Sequence, residues 1–260
     1  FIFLIMSSVE FVLPTNIDQV IEQLDVIILD SIHKKSRMGY FAALYKRVTL
    51  AVKDKIEEGY FDDNPRMEKL DIIFANRYLL AHHQYQNGER CSTSWKIAFD
   101  SARLWSPMVI QHLFVGINAH ISLDLGIAAS EAQPTDIDSI HDDFDKINVV
   151  LGSLVDDVQY QFSSIFWLLK PIDWILGGVD EKITKFAMDF ARDEAWEVAI
   201  AYSNLHTEQG RATYVETRDK DVSKYGIKIV RPGKLVSFLI RIFRPLEYGT
   251  VAYKMNKLNE

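Results

Sequence analysis

The pairs Asn64-Pro65 and Ser106-Pro107 each set a capping side chain directly before a proline, whose fixed φ and missing N–H suit the first turn of an α-helix. Such punctuation recurs along the chain, whereas runs of alternating apolar and polar residues between turn signals are nearly absent. That combination predicts an all-α fold, a single-domain multi-helix bundle. Thr15 with Asp18 reads as a capping pair opening a helix toward residue 32, and Gly59 suits the end of a helix that begins near Met38. The proline pairs open helices over 64–85 and 107–125, with a short helix over 93–104 between them. A loop holding Pro134 leads to a helix near Asp136, and further helices are expected at about 180–204, 209–222, 233–244 and 246–258. No repeat, low-complexity tract or Gly/Ser linker divides residues 6–260, which read as one helical domain.

With 48% of its residues hydrophobic, the chain can bury a sizeable core. A formal charge of −7 with dispersed Lys and Arg offers no footprint for a phosphate backbone, so nucleic acid is not an expected partner. Cys91 is the only cysteine, which excludes an intrachain disulfide, a thiolate zinc site and an iron–sulfur cluster; a reducing cytoplasm fits. The opening FIFLI is too short for a signal segment and lacks a basic region, so Met6 reads as the natural start and residues 1–5 as a non-native or disordered leader. No transmembrane segment is expected, since no stretch reaches about 18 uncharged apolar residues. FWLLKPIDWILGG, 166–178, reads as a proline-broken buried connection or as a membrane-touching elbow.

The chemistry concentrates on two helices. On a helix over 107–125, His112, Gly116, His120 and Asp124 fall within an arc of roughly 120°. Gly116, between the imidazoles, would leave room for an ion or a substrate atom. The i, i+4 spacing of His120 and Asp124 is one by which helices present a nitrogen and an oxygen to Zn, Fe or Mn; its plainer meaning is a buried His–Asp hydrogen bond. In NPRMEKLDIIFANRYLLAHHQY, residues Glu68, Asp71, Ala75, Tyr78 and His82 form a second narrow stripe, either a polar site or a solvated face. Two such faces packed together would crowd carboxylates that a divalent cation neutralises. Asp143 and Asn148 flank an apolar stripe on the next helix, and Arg192 and Trp196 stand at i, i+4; each pair reads as lining the site or as ordinary boundary and packing residues. His33, His83, His141 and His206 read as surface or cap histidines.

The segments FAALYKRVT (41–49), MEKLDIIFANRYL (67–79), SWKIAF (94–99), QHLFVGINAHISLDLGIA (111–128), DFDKIN (143–148) and ARDEAWEVA (191–199) resemble a mostly bacterial family catalogued as domain of unknown function 5995. The resemblance implies membership and no activity. His120-Ile-Ser-Leu-Asp124 is also similar, more faintly, to the His-x-x-x-Asp pair of helical zinc-dependent phospholipase C and P1 nuclease proteins.

Three readings stand open. One is a metal-dependent hydrolase of a small or lipid-like ester, amide or phosphoester. It takes His120, Asp124, His112 and Asp71 as ligands of Zn, Fe or Mn, Tyr78, Asn118 and Glu68 as catalytic groups, and Gly116, His82, Asp143, Asn148, Arg192 and Trp196 around the substrate. The second is a non-catalytic binding protein for a lipid or isoprenoid-like ligand, in which LVSFLIRIFRPL, 235–246, either docks on the core or lies on a membrane as a basic amphipathic helix. The third is a di-iron oxygenase, although no Glu-x-x-His pair occurs. The expected partner is a small-molecule or lipid-like substrate, and a homodimer is an admissible assembly.

Overall fold

The structure is a computed structural model, and it describes residues 11–147, 149–151, 165 and 193–260. The expected leader at 1–5, the segment 166–178, Asn148 and Arg192 lie outside the described residues. Among the described residues every regular element is helical, as the sequence predicts.

Helix α1 (Ile17–His33) is capped by Asn16, whose side chain accepts from the Gln19 N–H; Thr15, the expected cap, bonds the Gln19 side chain instead. Its Val20, Leu24, Ile27 and Ile28 recur at helical spacing and are buried against α2 (Gly39–Glu57). Gly59, at φ +70°, follows α2 in the left-handed conformation that favours glycine after a helix. Helix α3 (Asn64–Gln86) carries Pro65 in its first turn, and Asp63, not Asn64, accepts from the Arg66 N–H as its cap. Ser92 caps the short α4 (Thr93–Ser101).

The central rod starts two residues later than Ser106-Pro107 suggests: α5 (Val109–Ala119) runs into a π-helical turn (His120–Leu125) and on into α6 (Gly126–Ala132). This rod is long and apolar enough to cross a membrane, yet 78% of its most apolar window is buried in the bundle; it is the core helix. It packs on α2, α3 and α4 and on α7 (Glu208–Val230). A 3-10 turn (Ile137–Ile140) and helical residues 141–147 and 193–203 close the end of the bundle around α6. Helix α8 (Lys234–Phe243) has no fully buried residue, with Ser237, Ile240 and Phe243 partly buried, and α9 (Val251–Asn259) returns the chain to α1 and α2.

Four helix N-termini are capped by carboxylates distant in sequence, where unpaired N–H groups and the helix dipole favour negative charge. Glu68 accepts from Ile17 N–H at α1 (3.4 Å), and Asp143 from Asp62 and Asp63 N–H before α3 (2.7 and 3.0 Å). Asp219 accepts from Thr93 and Ser94 N–H at α4 (2.7 and 2.9 Å), and Glu247 from Val109 N–H at α5 (2.7 Å). Glu247 also takes Arg244 and Lys254 at 2.8 and 3.1 Å, forming a buried ionic cluster.

The end of the π turn is fixed by close packing. A Cβ on Gly126 would lie 2.3 Å from the Ala195 carbonyl oxygen and 2.7 Å from Val198 Cβ. Gly126→Ala must therefore push helical residues 193–203 off the rod, and urea unfolding is expected to show a loss of about 1–3 kcal/mol. An unchanged midpoint would contradict this packing.

Candidate functional site

The polar centre lies where the π turn meets α2, α3 and α4. On α3, Asp71, Ala75 and Tyr78 are buried, so the stripe read from the sequence faces inward. The Asp124 carboxylate is also buried, and both of its oxygens are occupied: Oδ1 accepts from Arg77 Nε and Oδ2 from Trp95 Nε1, each at 2.8 Å. His120 Nδ1 stands 3.7 Å from Asp124 Oδ2, too far for a hydrogen bond. The imidazole stacks on Phe74, with centroids 3.5 Å apart and planes 8° apart, and meets Tyr45 edge-on at 4.4 Å. Phe41 closes a further side at 5.5 Å.

Burial decides the charges here. It depresses the His120 pKa, which keeps the ring neutral. Burial, the largest single influence, would raise Asp124, but the Arg77 guanidinium together with the other groups at the carboxylate, the Trp95 N–H among them, outweighs it and holds the carboxyl below the usual range. Among the described residues Asp71 has no such cation; burial, with help from Glu68, raises it to about 7. Both His120 nitrogens, Asp71 Oδ2 and the hydroxyls of Tyr45 and Tyr78 are buried without a hydrogen-bond partner among the described residues. Native interiors pair nearly all such atoms, and π turns recur at functional sites.

His112 points to a different place. Its Nδ1 lies 3.2 Å from Ser101 Oγ, which spends its own proton on the Ala98 carbonyl at 2.7 Å, so donor accounting assigns the imidazole proton to Nδ1. The pKa of His112, lowered to about 3 by burial, keeps the ring neutral, and Nε2 is an acceptor with no partner among the described residues. With Arg37, Phe41, Trp95, Phe99 and Gly116 it lines a cavity of about 20 Å³, room for one water-sized group.

The structure thus brings His120, Asp124, Asp71 and Tyr78 into one neighbourhood and leaves the other expected residues elsewhere. Glu68 caps α1. Asn118 donates to the Val222 carbonyl at 3.1 Å and fastens α5 to α7. Asp143 binds Arg66 at 2.9 Å besides its two backbone donors, and these hold its pKa down although burial raises it. Trp196 packs on His141 and Phe144, and His82 on Phe99 and Tyr78, with burial lowering the His82 pKa to about 4. A Cβ on Gly116 would meet the Phe41 ring at 2.5 Å, so the glycine accommodates an aromatic side chain, and the space it lines with His112 is only the small cavity. His141 and Asp145 repeat the His-x-x-x-Asp spacing at 3.7 Å, but on the exposed surface.

Sequence reasoning missed Arg77 and Trp95, the two groups that hold Asp124. Arg77 lies off the α3 stripe by helical angle, and Trp95 sits in a short helix where its ring reads as core. The only signal was an unpaired buried carboxylate needing donors. A metal does not fit this donor set: a guanidinium occupies the carboxylate a cation would need. Among the described residues no three His, Cys, Asp or Glu side chains are grouped to hold one.

A family model described as a family of unknown function (DUF5995) matches residues 17–232. No curated protein and no solved structure matches the chain.

Asp71 generates a pH prediction. Its folded pKa, about 7, lies above that of an unfolded carboxyl, about 4, so between these values the native state keeps a proton the unfolded state has lost, and rising pH favours unfolding. In urea titrations, Asp71→Asn should gain on the native protein as pH rises from about 4 to about 7, by at most about 4 kcal/mol. A difference independent of pH would contradict the assignment.

Proposed function

We propose, starting from the fact that the chain belongs to the family of unknown function (DUF5995), that it is a helical binding protein without catalytic chemistry, taking a lipid or isoprenoid-like ligand. The observation that carries this reading is α8. Its Leu235, Phe238, Leu239 and Ile242 are exposed and none of its residues is fully buried, so the chain displays apolar surface that a binding role would use. The interior supports the same side: Asp124 is engaged by Arg77 and Trp95, and two of the other expected acids, Glu68 and Asp143, serve as caps. On this reading Asp124, through Arg77 on α3 and Trp95 on α4, fixes the register of the rod.

A second reading, a hydrolase, has one observation in its favour. His120, Asp71, Tyr45 and Tyr78 hold polar atoms without a partner among the described residues around a π turn, a set able to move protons at a buried substrate. Turnover of p-nitrophenyl esters that disappears in His120→Gln, in a protein still fully helical, would favour it.

The binding reading is tested with a pyrene-labelled single-chain lipid below its aggregation concentration, alongside elemental analysis of the purified protein. Saturable binding is expected, insensitive to chelator and at least tenfold weaker in Phe238→Glu, with no stoichiometric metal. One or more metal ions per chain, lost together with activity in a folded His120→Ala variant, would overturn it.

A further inference from the structure

The segment that carries α8 differs in charge from the rest of the chain. Between Asp221 and Glu247 there is no Asp or Glu, while Lys224, Lys228, Arg231, Lys234, Arg241 and Arg244 supply six cations to a chain whose net charge is −7. Arg244 is held by Glu247 and Lys224 by Asp221. Lys228, Arg231, Lys234 and Arg241 are exposed and form no ion pair among the described residues.

The helix separates these cations from its apolar residues. At helical spacing, Leu235, Phe238, Leu239 and Ile242 fall within an arc of about 100°, while Lys234 and Arg241 lie within roughly 20° of each other along one edge of it. All four apolar residues are unburied, with exposures of 73%, 61%, 42% and 50% in that order. Arg231-Pro232-Gly233 forms the elbow that turns α8 away from α7: Pro232 cannot continue the helix, and Gly233 takes φ +89°. A row of large exposed apolar side chains edged by cations, on a helix whose half-buried Ser237, Ile240 and Phe243 lie off that row, matches an element lying in the plane of a membrane interface.

We propose that α8 docks the protein, in the plane of the interface, on a lipid bilayer bearing anionic headgroups, with Leu235, Phe238, Leu239 and Ile242 in the acyl boundary and Lys228, Arg231, Lys234 and Arg241 at the headgroups. The proposal rests on the lipid-binding reading and names its partner. Charge selects the occupant: the cations complement an anionic bilayer and disfavour a second copy of this segment.

Flotation with phosphatidylcholine vesicles, with and without 30% phosphatidylserine, tests it. Each surface cation contributes about fivefold to binding an anionic bilayer. The wild-type chain should bind the anionic vesicles at least tenfold more tightly than the neutral ones, and lose most of that advantage between 50 and 500 mM NaCl. Lys234→Glu with Arg241→Glu should weaken anionic binding about 25-fold or more. Leu235→Glu with Phe238→Glu should abolish binding to either vesicle at an unchanged Tm, because these side chains are not buried. Equal binding to both vesicles would overturn the headgroup selection and leave the lipid-binding reading standing. No vesicle binding, with the pyrene lipid still bound, would overturn docking alone; loss of both would remove both. A dimer that Phe238→Glu dissociates, in a protein that ignores vesicles, would assign the face to self-association and overturn the proposal.

Discussion

The bundle depends on where one carboxylate finds its donors. Asp124 sits in the core rod, and in the absence of Arg77 and Trp95 its charge would be stranded among aromatic rings. An unpaired buried charge costs several kcal/mol, a large part of the 5–15 kcal/mol by which a domain is stable. The pairing therefore sets α3, α4 and the rod at one register and holds His120 flat against Phe74. It also gives the π turn a reason. At the turn the rod departs from α-helical spacing, so that Asp124 reaches both donors while Gly126 lets the following residues close on the Ala195 carbonyl.

Elsewhere the acids work at helix ends. Glu68, Asp143, Asp219 and Glu247 reach across 51 to 138 residues to N–H groups that would otherwise be unpaired. Each such cap satisfies backbone donors and ties a distant element to the helix it caps, so local helix formation and tertiary assembly become the same event. A chain rich in Asp and Glu can thus fill its interior with carboxylates and still leave no cluster for a cation among its described residues.

The fold was legible because helices announce themselves locally. Asn64-Pro65 and Gly59 mark helix boundaries through backbone chemistry that needs no partner, and the α3 stripe from Asp71 to Tyr78, which its spacing left open between a polar site and a solvated face, faces inward. The site was legible only in part. His120 and Asp124 are neighbours in sequence and in space, but a uniform 100° per residue cannot show a π turn, and sharing an arc did not bring His112 to them, since it stands about 12 Å earlier along the regular part of the rod. Arg77, Trp95 and the long-range caps were invisible for another reason: a capping acid and a ligating acid look alike until the helix end it reaches is known. The exposure of α8 was ambiguous as well, since amphipathic spacing is the same whether the apolar stripe meets a core or a membrane.

Two surfaces of unlike character result. The interior is held by paired charge and aromatic packing, while the most amphipathic of the described helices turns its apolar side outward, edged by cations. The central claim is that Asp124 serves structure through Arg77, and a double-mutant cycle with Arg77→Met and Asp124→Leu measures it most directly. The account predicts a coupling of about 2 kcal/mol or more, with the double variant no less stable than the weaker single variant. Additive losses, with coupling below about 0.5 kcal/mol in folded proteins, would contradict it.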